Sequence, residues 1–312
     1  MASLKPEKLT QKSWLDRYIK VQKTYDSDLV RILQKAASDV EREIRKQQMK
    51  QGIGAATRAA QLMSARGSIG RTLAYVWKQI GDLVRSGRAD AQAAAVMQSF
   101  SWEEYLLSRA IPDAAERNSI LQYLLDSSDK NIDAMLARVF KTQQTLSQRV
   151  YRSQNLSNGW VSDTVNSALA RGATAAELAA EVRDMIRPDT QGGVSFAAKR
   201  LARTEINNAY HAQAVDSARD KPWINGMRWK LSDTHKIPDD CNKYALQENG
   251  LGAGIWPVNM VPNKPHPQCL CYVIPELPSV AEFNQNLRLG LYDAYFDSNF
   301  SADIASAGKL AG

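Results

Sequence analysis

From Ser13 to about residue 220 the apolar residues of this chain recur at three and four positions, and that period restricts the fold to helices packed along shared stripes. Leu15, Ile19, Leu29, Ile32, Leu33, Ala36, Val40 and Ile44 mark a first helix between Ser13 and Met49, either continuous or broken near Asp26. Gly52-Ile53-Gly54 interrupts the period, and Leu62 to Val84 resumes it through Leu73, Val76, Trp77, Ile80 and Val84. Ser101-Trp102-Glu103-Glu104 has the capping-box form, in which Ser and a Glu three residues on satisfy each other's exposed amides, and so predicts a new helix. Pro112 ends that helix, Asn131 is the expected N-cap of a helix from Ile132 to Val150, and Thr174-Ala175-Ala176-Glu177 opens another that stops at Pro188.

Pro188 to Gly193 is turn-forming, and one more helix is expected from Ser195 to Asp220 before Lys221-Pro222. The texture then changes. Met227-Arg228-Trp229-Lys230-Leu231 alternates as a short strand does, Cys271-Tyr272-Val273-Ile274 supplies a partner strand, and Pro and Gly are frequent from Pro238 to Pro278. The expected fold is mainly α: a long helical N-terminal region (1–155), a small α+β C-terminal domain with a tethered irregular loop (156–277), and a weakly amphipathic tail (278–312) that docks on a partner or stays mobile.

The charge is uneven. Residues 1–155 hold 25 Lys+Arg against 16 Asp+Glu, a surplus of 9 where the whole chain has only +7, so a polyanion would meet the N-terminal half. Even there the signs interleave, as in Asp39-Val40-Glu41-Arg42-Glu43-Ile44-Arg45-Lys46, which suits a salt-bridged helix face as well as a phosphate track. Met1-Ala2-Ser3-Leu4-Lys5 precedes no apolar secretory core, and no run of about 18 apolar residues occurs, so a cytosolic origin without membrane insertion is expected. Three cysteines, all after residue 240, are then expected as thiols.

Those cysteines and one histidine carry the chemistry. Cys241 and His266-Pro267-Gln268-Cys269-Leu270-Cys271 provide three thiolates and an imidazole, a set that can close a tetrahedral structural zinc site with no position left for water or substrate. Such a site would tether both ends of the loop from Leu246 to Pro265, whose Gly, Pro and Asn content gives it little to pack with. Two other readings stay open: the thiols as small buried apolar groups, and a disulfide from Cys241 to Cys269 or Cys271. An open metal site with His235 as base and Asp233, Asp239 or Asp240 as cation ligands would instead make a nuclease. Gly250-Leu251-Gly252-Ala253-Gly254 lacks the Lys and helix start of a phosphate loop.

On the preceding helix, Arg203, Asn207 and Tyr210 share one face, and Thr204, Asn208 and His211 the next. A helix this polar is expected to hydrogen-bond the irregular loop, with Glu205 structural rather than catalytic.

Ala202-Arg203-Thr204-Glu205, Ala209, a Trp229 strand, Asp233, Cys241 and then Pro265-His266-Pro267-x-Cys269-x-Cys271, in that order, resemble the C-terminal domain of the phage Mu F type of head morphogenesis proteins over about residues 195–275. Members often carry Cys-x-x-Cys in the first half, and Tyr244 stands at the second position here. The resemblance implies a non-enzymatic minor capsid protein of a tailed phage. Such a protein is made in the host cytoplasm and sits inside the virion head near the portal. It is present in several copies, and it contacts portal or major capsid protein and double-stranded DNA non-specifically during packaging or ejection. The alternative is an enzyme built on the same domain, a metal-dependent nuclease or a nucleotide-transferring activity.

Overall fold

A computed structural model of the chain describes residues 6–48, 55–127, 145–188 and 192–299. The fold is mainly α with one small antiparallel sheet near the C-terminus, as the periodicity predicts. In order, the elements are α1 (Pro6–Gln48), α2 (Ala55–Ala110), α3 (Ala114–Ser127), α4 (Leu146–Arg171), α5 (Ala175–Ile186), α6 (Gly193–Ala218), β1 (Gly226–Lys230), α7 (Asp240–Leu246), β2 (Ile255–Trp256), a 3-10 turn (Val258–Met260), β3 (Tyr272–Glu276), α8 (Val280–Arg288) and α9 (Asp293–Asn299). They divide into two compact units. One comprises Gln22–Gly87 and Thr142–Glu205, the other Met1–Val21, Arg88–Lys141 and Ile206–Gly312, each as far as its residues are described.

The first unit is a helical core. Leu29, Leu33, Val40 and Ile44 of α1, Leu73, Trp77, Ile80 and Val84 of α2, Val165 of α4, Val182 of α5 and Ala198 of α6 are all buried in one cluster. Each fully buried aliphatic side chain contributes about 1.5–3 kcal/mol, so this stripe accounts for why helices of modest propensity hold together. α1 is one uninterrupted helix through Asp26. Its stripe includes Tyr25, whose hydroxyl is 2.9 Å from Ser86 Oγ, and Trp77 donates its ring N–H to Ser157 Oγ at 3.1 Å. The interleaved charges of α1 form a salt-bridged face: Arg42 with Asp39, Arg45 with Glu41, Lys46 with Glu43, and Glu41 also with Arg183 of α5.

Two predicted helix starts have opposite outcomes. Thr174 caps α5 with the full reciprocal box to Glu177, because Gly172, in the left-handed region at φ 66°, has already ended α4. Ser101 starts nothing: residues 101–104 lie inside α2. No Gly or Pro breaks the Ala-rich run Ala91 to Ala95 before it, and Ser101 Oγ donates back to the carbonyl of Met97 at 2.7 Å. Pro112 does end α2, and Asp113 Oδ1 caps α3 through the amide of Glu116. Asn131 and Gly52 to Gly54 lie outside the described residues. α4 opens with its own box, Thr145 with Gln148.

The second unit holds the sheet, in strand order β2-β1-β3, all antiparallel. Met227 pairs with Trp256 on one side and Pro275 on the other, and Trp229 pairs with Val273. Met227 and Trp229 therefore point to the buried face with Val273. Residues 280–299 dock on their own chain: Phe283, Tyr292, Tyr295 and Phe296 surround Trp223, with ring centroids 5.0–6.2 Å away.

Candidate metal centre

Asp239 stops the chain after Pro238 and caps α7, accepting from the amide of Cys241 at 2.7 Å, while Asn242 Oδ1 accepts from the Asp239 amide at 3.0 Å. This reciprocal box places Cys241 in the first turn of α7, fully buried. The other thiols arrive from the far end of the loop. Gln268 takes a positive φ of 61°, turning the chain out of His266-Pro267, and Cys269 and Cys271 follow just before β3. A spacing of two brings both sulfurs to the same side of an extended chain, which is why Cys-x-Cys serves here. Cys241, Cys269 and Cys271 are 0%, 3% and 1% exposed.

The three sulfurs lie within 4.8 Å of one another, with Cys241 Sγ 3.4 Å from Cys269 Sγ, and form a group able to hold a metal ion. Cys269 is the thiol most easily ionised. A hydrogen bond from Cys241, then one from Cys271, lowers it against the opposing effect of burial, and Lys264 adds attraction. The hydrogen bond to Cys269 pushes Cys241 up, and Cys271, though drawn down by Cys241, ends raised through Cys269 and burial. Lys264 donates to the carbonyl of Cys271 and stands 6.0 Å over the Trp229 ring. Burial pushes its own pKa down, opposed by the three thiols.

His266 joins a second group, with Asp239 and Cys241, rather than the three-thiol group. Its Nε2 is 2.9 Å from Asp239 Oδ2 and 3.8 Å from Cys241 Sγ. His235, read from the sequence only as a possible base, joins neither group, though its Nδ1 is 3.7 Å from Cys271 Sγ and its Nε2 is 2.7 Å from Asn242 Oδ1.

The loop beyond α7 is held by backbone. Glu248 bridges Ala253, the Trp256 ring N–H donates to the carbonyl of Tyr244 at 3.0 Å, and Gly254, at φ 72°, passes so close to Ala245 that an added Cβ would lie 2.4 Å from its carbonyl oxygen. The glycines of 250–254 thus serve a tight return, not a phosphate cradle.

The polar residues of α6 are tied mostly to helices. Arg203 grips Asp26 through Nε and Nη2 at 2.8–3.2 Å. Glu205, 0% exposed, is held by Arg149 through two parallel hydrogen bonds of 2.5 and 2.8 Å. Thr204 Oγ1 donates back to the carbonyl of Arg200 at 2.5 Å. In the second unit Tyr18 donates to Asn207 at 2.6 Å and stacks on Tyr210, which donates to Gln98. His211 meets the irregular loop, bonding the backbone of Pro262 while its ring stands edge-on to Trp229.

No family model, curated protein or solved structure matches the chain. Among the described residues no helix is long and apolar enough to cross a membrane.

Proposed function

We propose that this chain is a structural, non-enzymatic minor capsid protein of the Mu F type. In this reading it resides in the head interior near the portal, aids assembly and DNA packaging or ejection, and uses residues 156–277 as its family domain. The observation that carries the reading is that the residues able to do chemistry are spent on holding the chain together. Glu205 is buried against Arg149, and Cys241, Cys269 and Cys271 are buried in one cluster that ties α7 to the arm entering β3. A catalytic carboxylate or thiol needs access to substrate, and these have almost none.

Zinc is the ion that this donor set suits. With Zn–S bonds near 2.3 Å, the edge of a tetrahedron is about 3.8 Å, against 3.4 Å between Cys241 and Cys269 and no more than 4.8 Å between any two of the three sulfurs. The ion would tether the two ends of the loop from Leu246 to Pro265, and it would supply no chemistry beyond the tether. Three thiolates around a divalent cation leave one negative charge, which the Lys264 ammonium beside Cys271 offsets.

The DNA contacts proposed for the basic half are with phosphates. Binding to random-sequence duplex is expected to be independent of sequence and to fall steeply between about 50 and 200 mM salt, by roughly 10³-fold or more if six or more phosphates are touched. Titration of labelled duplexes of unrelated sequence across that range tests this; a strong sequence preference, or divalent-metal-dependent cleavage of the duplex, would favour the enzyme reading instead.

A further inference from the structure

We propose that His235, not His266, is the fourth ligand of the thiol cluster, and that Asn242 is the positioning residue that sets its tautomer. This rests on the reading of the cluster as a metal tether.

Distance alone does not separate the two imidazoles: each stands near one sulfur, and neither belongs to the group of three thiols that lie within 4.8 Å of one another. For Zn–S near 2.3 Å and Zn–N near 2.0–2.1 Å, a sulfur-to-nitrogen tetrahedral edge is about 3.6 Å. His235 Nδ1 stands 3.7 Å from Cys271 Sγ, and His266 Nε2 stands 3.8 Å from Cys241 Sγ.

The hydrogen bonds do separate them, because a ligating nitrogen must present a lone pair. Asn242 uses one atom for two contacts: it faces the backbone N–H of Asp239 at 3.0 Å and His235 Nε2 at 2.7 Å. A backbone N–H can only donate, so that atom is the amide oxygen. His235 Nε2 must then carry the proton it shares with Asn242, and Nδ1 keeps its lone pair on the side of Cys271. The capping box of α7 thereby fixes the ligand's tautomer as well as the helix start.

His266 is committed elsewhere. Its Nδ1 is 3.0 Å from the carbonyl oxygen of Pro267, which can only accept, and its Nε2 is 2.9 Å from the Asp239 carboxylate. Both nitrogens face oxygens, so the ring acts as a clasp from the Pro267 turn to the cap of α7. Exposure agrees: the His235 side chain is 11% exposed and that of His266 39%. A closed structural site draws on the more enclosed group.

The test is cobalt binding by the full chain, followed by the visible and near-ultraviolet spectrum and by helicity for each variant. Wild type is expected to take one Co²⁺ in a tetrahedral three-thiolate, one-imidazole site. His266→Ala keeps that spectrum and stoichiometry. Asn242→Ala loosens the ion by roughly 10–100-fold, and His235→Ala by more. His235→Cys guards against a variant that merely misfolds: it retains the ion, with the stronger, red-shifted thiolate-to-cobalt absorption of a four-sulfur site. If His266→Ala abolishes the mixed-ligand spectrum while His235→Ala preserves it, the assignment is overturned and the metal tether stands. If the wild-type chain binds no cobalt and no zinc, both fall together.

Discussion

Replacing Arg149 by Met removes both hydrogen bonds to Glu205 while keeping an unbranched apolar stem in the same space. The pair is almost wholly out of water: the Arg149 side chain is 14% exposed and that of Glu205 0%. Breaking a buried ion pair from one side costs about 3–5 kcal/mol, because the remaining charge keeps its desolvation penalty. The carboxylate that Arg149 no longer neutralises can take a proton. For an ordinary glutamic acid, with a pKa near 4.3, that costs about 1.36 kcal/mol per pH unit, or roughly 3.7 kcal/mol at pH 7 and roughly 1 kcal/mol at pH 5. The destabilisation of Arg149→Met should thus be about 3–4 kcal/mol at pH 7 and shrink to about 1–2 kcal/mol at pH 5, the remainder being lost hydrogen bonds. With the folded-state proton affinity raised above the unfolded one, stability in the variant is lost as pH rises from the ordinary glutamate value to the raised folded one. Urea unfolding followed by circular dichroism at pH 5, 6, 7 and 8 measures it, and Arg149→Met with Glu205→Leu should recover most of the loss at pH 7. A loss below about 1 kcal/mol at pH 7, or one that does not change between pH 5 and 7, would refute the structural role given to Glu205.

Two further outcomes are expected. Chelation, or Cys269→Ser, should release the ion and loosen the loop between α7 and β3, read as faster amide exchange from Leu246 to Pro265, while the helices of the first unit stay protected; three thiols should titrate in the denatured chain, and fewer would point to a disulfide. His211, buried at 2% exposure, is lowered to about 3 chiefly by desolvation and next by Lys264, with Cys269 and the Pro262 backbone opposing. The unfolded chain then binds the extra proton, so stability should fall with pH below about 6.5 by about 1.4 kcal/mol per unit, and His211→Gln should remove that part of the slope in acid unfolding curves.

The helices were legible because one buried stripe governs each. Leu29, Leu33, Val40 and Ile44 are the residues that a 3.6 period selects, and they are the ones buried. The pairing of β1 with β3 was legible from alternation around Trp229 and Val273, and its antiparallel direction was not. Capping boxes were less reliable, since the same four-residue pattern starts α5 after Gly172 and starts nothing at Ser101, where no breaker precedes it. Tyr18 and Tyr25 escaped the stripe because a tyrosine is buried only where its hydroxyl finds a partner, and Asn207 and Ser86 are far off in sequence. β2 was missed because two residues carry no period. At the candidate metal centre the gathering of the three cysteines was readable from spacing, and the approach of His235 to Cys271 was not, because it depends on a hydrogen bond to Asn242 inside a helix cap.

The claim that most needs a direct measurement is residence in the head. Particles produced from the genome that encodes this chain would be separated into DNA-filled and emptied heads on a density gradient, and the chain counted against portal and major capsid protein by quantitative mass spectrometry. A fixed number of copies is expected in filled heads, few relative to major capsid protein, and a reduced number in emptied ones. Absence from filled heads, with the chain recovered only as free protein, would contradict it.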